Sequence, residues 1–269
     1  MVHLDRRRQR GASLLLAVLV PVACSRAPSA DHPPPEPAPS ASADGAAGPE
    51  PTASAPSSGG FALAQAEVSR PRFAGERSSL PRWLVREMRG TTWRPGCPVS
   101  LDDLRLLRFN YWDFQGELER GPMVVHEDVA TDVLWVFGRL FRARFPIKRV
   151  ALAEEFVPAE FEPRISSHRS ETYSFNCRSV VTPLGPTGRF SQHSYGWAID
   201  INPVQNPYVL PDGFVRNLMA RRYVDRSRQL AGMIHDGDVV VRSFASIGWE
   251  WGGHWSGGKD YMHFSYTGG

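Results

Sequence analysis

The chain's apolar residues recur with a helical period over one long stretch and alternate over several short ones. From Asp128 to Phe145 they fall at Val129, Val133, Val136, Phe137, Leu140 and Phe141. That stripe predicts a helix with one face on a core, with Val124 and Val125 leading into it. Leu104 to Trp112, Ile147 to Leu152 and Tyr173 to Val181 are apolar and aromatic enough for strands, the last ending at the turn Leu184-Gly185-Pro186. Pro81 to Met88 and Asp238 to Ile247 predict short helices. From Trp197 to Asn202 the chain alternates, with Trp197, Ile199 and Ile201 toward a core and Ala198, Asp200 and Asn202 toward a cleft. Met262, Phe264 and Tyr266 likewise alternate with Tyr261, His263 and Ser265. Pro207 to Gly213 predicts a loop, Phe214 to Tyr223 carries no clear period, and Gly248 to Gly258 predicts an irregular aromatic loop. The elements add up to an α+β fold, a small antiparallel sheet with helices packed on one side.

The pattern vanishes in the first part of the chain. Residues 25–60 contain nine of the 23 prolines and no aromatic residue, Leu, Ile, Val or Met. They cannot bury enough apolar surface to fold. We expect a semi-extended tether over residues 25–80, of which 25–60 reach at most on the order of 100 Å at ~3.1 Å per residue, and a folded domain over 81–269. Ahead of the tether, Arg6, Arg7, Arg8 and Arg10 precede an apolar run from Ala12 to Val20 that is too short to span a bilayer. Residues 1–24 therefore predict a signal peptide and an exported protein. Val22-Ala23-Cys24-Ser25 resembles a bacterial lipoprotein processing site, which would lipidate Cys24 and anchor the protein to a membrane facing the periplasm or cell wall; an ordinary cleaved signal is the alternative. The whole chain carries +3, and the first 23 residues account for all of it. Charge gives no support to nucleic-acid binding.

The chemistry concentrates in two places. His193 and Asp200 stand seven residues apart in Ser191-Gln192-His193-Ser194-Tyr195-Gly196-Trp197-Ala198-Ile199-Asp200-Ile201-Asn202-Pro203. Gly196, the β-branched Ile199 and Ile201, and Pro203 argue against one helix. The odd spacing would put the two on opposite faces of one straight strand. A turn at Ser194 to Gly196 followed by a strand brings His193 back toward Asp200. In Lys259-Asp260-Tyr261-Met262-His263-Phe264-Ser265-Tyr266, His263 joins the polar face. Two histidines and one aspartate make a three-ligand site for one zinc ion with a position left for water, the pattern of a catalytic zinc. Asp260 is then free to act as the base; a strand cap is its plainer alternative, as a supporting carboxylate is for Asp200.

The pattern S-x-H-x-x-G-x-A-x-D followed by D-x-x-H resembles the zinc D-alanyl-D-alanine carboxypeptidase family, which includes vancomycin-resistance carboxypeptidases and dipeptidases and phage L-alanyl-D-glutamate endolysins. The resemblance runs from about Trp93 to Tyr266 and extends to Phe175-Asn176-Cys177-Arg178. It implies the fold shared with lysostaphin-type enzymes and hedgehog domains, a catalytic Arg178 near the scissile carbonyl, and a monomer acting on peptidoglycan peptide. A structural Arg178 is the alternative. Ser191 would support His193 or contact substrate, and Trp251 and Trp255 would wall the cleft or simply pack. Ser170-Glu171-Thr172 departs from the Asp-Asn-Thr of this branch. Glu250 is a rival base without the three-residue spacing from His263.

With Cys24 set aside, Cys97 and Cys177 remain, and an exported chain favours a disulfide between them over two buried thiols. Two further motifs are decoys. His126-Glu127-Asp128-Val129-Ala130 lacks the second histidine of a zinc helix, so His126 is better placed at a helix start. Gly253 to Lys259 resembles a phosphate loop, but Asp260 follows where Ser or Thr is needed. The sequence thus points to an exported zinc peptidase cutting stem peptides next to a D-amino acid, a D,D-carboxypeptidase in the first instance. An L-alanyl-D-glutamate endopeptidase and a non-catalytic cell-wall-binding lipoprotein are the alternatives.

Overall fold

A single tight turn organises the largest sheet. In the computed structural model, which describes residues 71–156, 170–182 and 185–268, Asp113 Oδ1 accepts hydrogen bonds from the backbone N–H of Gln115 and Glu117. The left-handed Gly116 completes the reversal. It joins two long strands that the order of the chain makes β2 (Leu104–Trp112) and β3 (Leu118–His126). Strand β1 (Gly75–Ser79) pairs antiparallel on the other side of β2. The fold therefore begins before the expected boundary at residue 81, beyond the Pro-rich residues 25–60 whose composition argues against folding. The expected signal peptide, Cys24 and the expected tether up to residue 70 lie outside the described residues.

Strand β2 is buried at most of its positions because it is covered on both faces. Leu107, Phe109 and Tyr111 join the main core, whereas Leu104 and Leu106 join a second cluster with Leu84 and Met88 of helix α1 (Arg82–Met88). The main core is roofed by helix α2 (Ala130–Arg142), with Phe137 against Phe109 at a ring separation of 4.3 Å. The buried Val133, Val136, Phe137, Leu140 and Phe141 are the predicted stripe. The side chain of His126 caps the preceding 3-10 turn, its Nδ1 accepting from Asp128 N–H. The helix stops at Arg142, and Arg144 takes a left-handed conformation before Phe145 re-enters the core.

The predicted strands at 147–152 and 173–181 exist only in pieces. Short β4 (Arg149–Val150) runs parallel to β5 (Glu171–Thr172), and β6 (Ser179–Thr182) pairs with β7 (Gly185–Phe190). The reason lies in where the backbone of 173–177 goes. Tyr173 N–H donates to Asp200, Phe175 to Val124, Asn176 to His193 and Cys177 to Thr92, so the segment is threaded between separate elements instead of running along one neighbour.

A second antiparallel sheet holds the polar chemistry. Its order is β10 (Glu250–Trp251), β12 (His263–Ser265) and β8 (Ala198–Asp200). Helix α3 (Val239–Ala245) packs beneath it, with Phe244 stacked on Phe264 at 4.2 Å. Beside it, β9 (Tyr208–Val209) pairs with β11 (Lys259–Asp260), giving structure to part of the expected loop. This mixture of small antiparallel sheets and few helices is α+β.

Cys97 and Cys177 form a disulfide that closes a separation of 80 residues and lies against the second cluster. Chain entropy assigns such a loop roughly 4 kcal/mol. Replacing both cysteines by serine should lower the thermal midpoint by several degrees in non-reducing buffer. An equal midpoint for the two proteins would show that the bridge contributes nothing to the fold.

Candidate metal centre

The site starts with a turn only glycine can make. Ser191 caps a short 3-10 turn, Gln192–Tyr195, its Oγ accepting from His193 N–H at 3.4 Å. Gly196 ends the turn at φ +70°, and a Cβ there would lie 2.5 Å from the backbone nitrogen of His126, which itself donates to the Gly196 carbonyl. Both conformation and space demand glycine. The chain then enters β8, with Ile199 and Ile201 fully buried in the core. Asn202, expected on the cleft face, is instead buried: its side chain accepts from Lys148 N–H and donates to the carbonyls of Pro146 and Gly232. Ala198 is likewise buried.

Register completes the cluster. In the β8–β12 pairing His263 stands directly opposite Asp200. Asp200 Oδ1 is 3.1 Å from His263 Nδ1, and Oδ2 is 3.3 Å from His193 Nε2. One donor atom from each of His193, Asp200 and His263 lies within 4.8 Å of the others, and all three residues are buried. The donor set fits zinc. Two observations sharpen that fit. His193 Nδ1 donates to the Ser174 carbonyl at 2.6 Å, so the lone pair is on Nε2. That Nε2 is buried and has no hydrogen-bond partner, an expensive state for a nitrogen with nothing to bind.

The electrostatics follow from packing the two imidazoles around a buried carboxyl. Burial would raise the Asp200 carboxyl, but His193 and His263 outweigh it and hold the group well below the ordinary carboxylate range. Asp260 goes the other way. Burial, and then the Asp200 charge, push it up to about 7 against the pull of His263 and Arg178. Its Oδ1 is buried without a partner. Arg178 is fixed through its backbone by the same turn that carries His193: Ser194 Oγ accepts from Arg178 N–H and donates to its carbonyl, which also accepts from Ser191 N–H.

Tyr173 is the participant that sequence reasoning missed. Its ring lies flat on the His193 imidazole at 5.2 Å, and its backbone exchanges both hydrogen bonds with Asp200. Its phenol interacts with the side chains of Arg178 and Asp200, and burial, reinforced by the Asp200 charge, raises it above the ordinary tyrosine value. No periodicity marks it; its nearness to Phe175-Asn176-Cys177-Arg178 was the only available signal. Of the residues expected to wall a cleft, Trp255 faces the site, with its ring 5.5 Å from that of His263 and its indole N–H buried and unpartnered. Trp251 is a core residue that donates to the Tyr261 carbonyl. Ser191 serves the turn, buried with its hydroxyl on His193 N–H. Glu250, in the strand position before Trp251, is exposed.

The Asp260 shift has a consequence for the metal-free protein. A carboxyl raised from 3.8 to about 7 stabilises the fold fully below about pH 4, and that contribution disappears as pH rises through 7. Asp260→Asn removes this titration and leaves that of Asp200. In chelator, melting curves should show the wild type losing stability relative to Asp260→Asn between about pH 5 and pH 8. Parallel changes in the two proteins would refute the buried setting of this carboxyl.

With this geometry in place, the comparisons with known proteins are informative. Residues 185–266 match the family model described as D-alanyl-D-alanine carboxypeptidase. No curated protein and no solved structure matches the chain. The matched segment contains His193, Asp200, Asp260 and His263. Over that segment, the chain is similar to the D-alanyl-D-alanine carboxypeptidase family that its motifs resemble.

Proposed function

We propose that this protein is an exported, zinc-dependent peptidase that cuts peptidoglycan stem peptides next to a D-amino acid, as a D-alanyl-D-alanine carboxypeptidase. The observation that carries the reading is the buried cluster of His193, Asp200 and His263, with Asp260 packed beside it, in the segment that matches the peptidase family. His193, Asp200 and His263 would hold one zinc ion, which when bound supplies a Lewis acid and lowers the pKa of a water toward ~7.

The chain's own groups do the rest. Asp260 takes a proton from the attacking water as that water adds to the amide carbonyl. It then delivers the proton to the leaving amine, so that amide and water become acid and amine. A carboxyl poised near neutral pH suits both transfers, and a cation on the three ligands pulls it lower, toward the basic form. The Arg178 guanidinium faces the oxygen that gains charge. Tyr173 holds Arg178 and Asp200 in fixed relation. A wall-binding protein without catalysis has no use for a carboxyl beside the ligands with one oxygen buried and unpartnered, and that favours the enzyme.

Incubating the zinc-loaded protein with muropeptides and identifying products by mass tests the reading directly. Loss of a single terminal D-alanine is the expected product; release at L-alanyl-D-glutamate would point to the endopeptidase. His193→Ala should lose most of the zinc. Asp260→Asn should keep it while turnover falls about 10²- to 10⁴-fold. Binding of muropeptides with no cleavage at any zinc loading would leave only the wall-binding protein.

The anchor is part of the proposal. No helix among the described residues is long and apolar enough to cross a membrane, and Cys24 follows a lipoprotein-like processing site. Cys24→Ala should move the protein from the membrane fraction to the soluble one. Unchanged fractionation would rule out lipid on Cys24 as its anchor.

A further inference from the structure

The segment that follows β9 turns apolar side chains outward. Leu218 and Met219 are 63% and 61% exposed and Phe214 50%; with Tyr266 these are the most exposed large apolar side chains among the described residues. The reason is the way the segment is seated. Asn217 caps a 3-10 helix, Leu218–Tyr223, its Oδ1 accepting from Met219 N–H at 2.9 Å. A 3-10 helix has three residues per turn, so side chains at i and i+3 eclipse and form three ridges. The ridge of Ala220 and Tyr223 is buried. The other two, Leu218 with Arg221 and Met219 with Arg222, are exposed. Each outward ridge thus carries one apolar and one cationic side chain. Just before the helix, Val215 and Asn217 are buried while Phe214 and Arg216 are exposed, so the same pairing occurs once more in the preceding residues.

The charge is as one-sided as the exposure. From Phe214 to Val224 there are three arginines and no acidic residue. The carboxylates that flank this run are turned to nearby groups: Asp212 accepts from Phe214 N–H, and Asp225 from the N–H and the hydroxyl of Ser227. Arg105, Arg120 and Arg149 each have a glutamate partner, whereas among the described residues no carboxylate pairs with Arg216, Arg221 or Arg222. Arg222 rests on the Tyr223 ring instead, at 5.0 Å.

Exposed apolar side chains interleaved with uncompensated cations suit a partner that is anionic at its surface and apolar just beneath. A soluble polyanion offers no place for Phe214, Leu218 and Met219. A second copy of the same face would bring like charges together. We propose that the helix Leu218–Tyr223, with the residues leading into it, is a docking face for an anionic lipid membrane, its arginines at the headgroups and Leu218 and Met219 at the acyl boundary. The proposal goes beyond the peptidase reading and does not need it. Strand β9 pairs with β11, which carries Asp260, so docking would hold the metal cluster near the lipid surface instead of at the end of the expected tether. A domain already tethered to that membrane needs only a weak face, because the tether raises its effective concentration there.

The test uses the full chain with Cys24→Ala, so that no lipid on that residue can hold it, and with Met219→Cys carrying a polarity-sensitive fluorophore. Cys97 and Cys177 are bridged, so the new thiol takes the label. The dye reports burial at residue 219 itself, and attachment elsewhere along the chain does not imitate it. Vesicles of equal parts phosphatidylglycerol and phosphatidylcholine should shift its emission to the blue, and phosphatidylcholine alone should not. Arg221→Gln with Arg222→Gln should weaken the apparent vesicle affinity about 30-fold, since each basic residue at such a surface contributes about fivefold. Both side chains are exposed, so this variant should melt as the wild type does. The same dye at Arg86→Cys, exposed on α1, should stay in water. No shift with the anionic vesicles, an equal shift with phosphatidylcholine alone, or a shift that survives the double variant overturns the face. An equal response to polyglutamate without lipid also overturns it and points to an acidic protein. A shift without vesicles that grows with protein concentration overturns it in favour of a second copy.

Discussion

The charge on Asp200 is what the remainder of the site is built to tolerate. Placing a carboxylate out of water costs several kcal/mol unless nearby groups compensate it. Asp200 is 5% exposed, in a strand whose neighbours Ile199 and Ile201 are wholly buried. His193 and His263 meet its two oxygens, and the Tyr173 phenol lies alongside. Each of these comes from a different element. The turn at Gly196, the opposition of β8 and β12, and the threaded segment at 173–177 must therefore all be in place together. Burial and then the same charge raise Asp260, so one buried carboxylate both gathers the two histidines and helps tune the neighbour.

What the sequence made legible was local. The apolar stripe of α2, the alternation around Ile199 and the spacing of the histidines and aspartates all operate within a few residues of one another. Features set by partners far along the chain were not legible. Strand β1 reads Gly-Glu-Arg-Ser-Ser and is exposed throughout; it is held by backbone pairing and by polar contacts of Glu76 with Arg120 and of Arg77 with Thr131, so hydrophobic patterning cannot see it. Half of β3 is hidden for the same reason, with exposed Leu118, Glu119 and Arg120 before a proline that ordinarily argues against a strand. Trp251 and Trp255 look equivalent as letters. Register separates them, sending one to the core and the other to the site.

Support for the site reaches into the second apolar cluster. Cys177 is buried there and bridged to Cys97, and the next residue is Arg178. The backbone of Arg178 is clasped by Ser191 and Ser194, at either edge of the turn that presents His193. A displacement of the bridge is thereby passed to an arginine and a histidine at once. Rigid placement of this kind is what general acid–base and electrostatic catalysis require, because misplacement of about 1 Å can cost 10²-fold.

The opposition of Asp200 and His263 also acts as a proofreader of strand alignment. Side chains in a strand alternate with a period of two, so a slip of β12 by one residue would bring His263 opposite Ile199 or Ile201. The carboxylate would then lose one imidazole while remaining buried, and Phe264 would leave its place on Phe244. A mispaired sheet would thus pay twice, in stranded charge and in exposed aromatic surface. The residues that serve chemistry also exclude the nearest wrong fold.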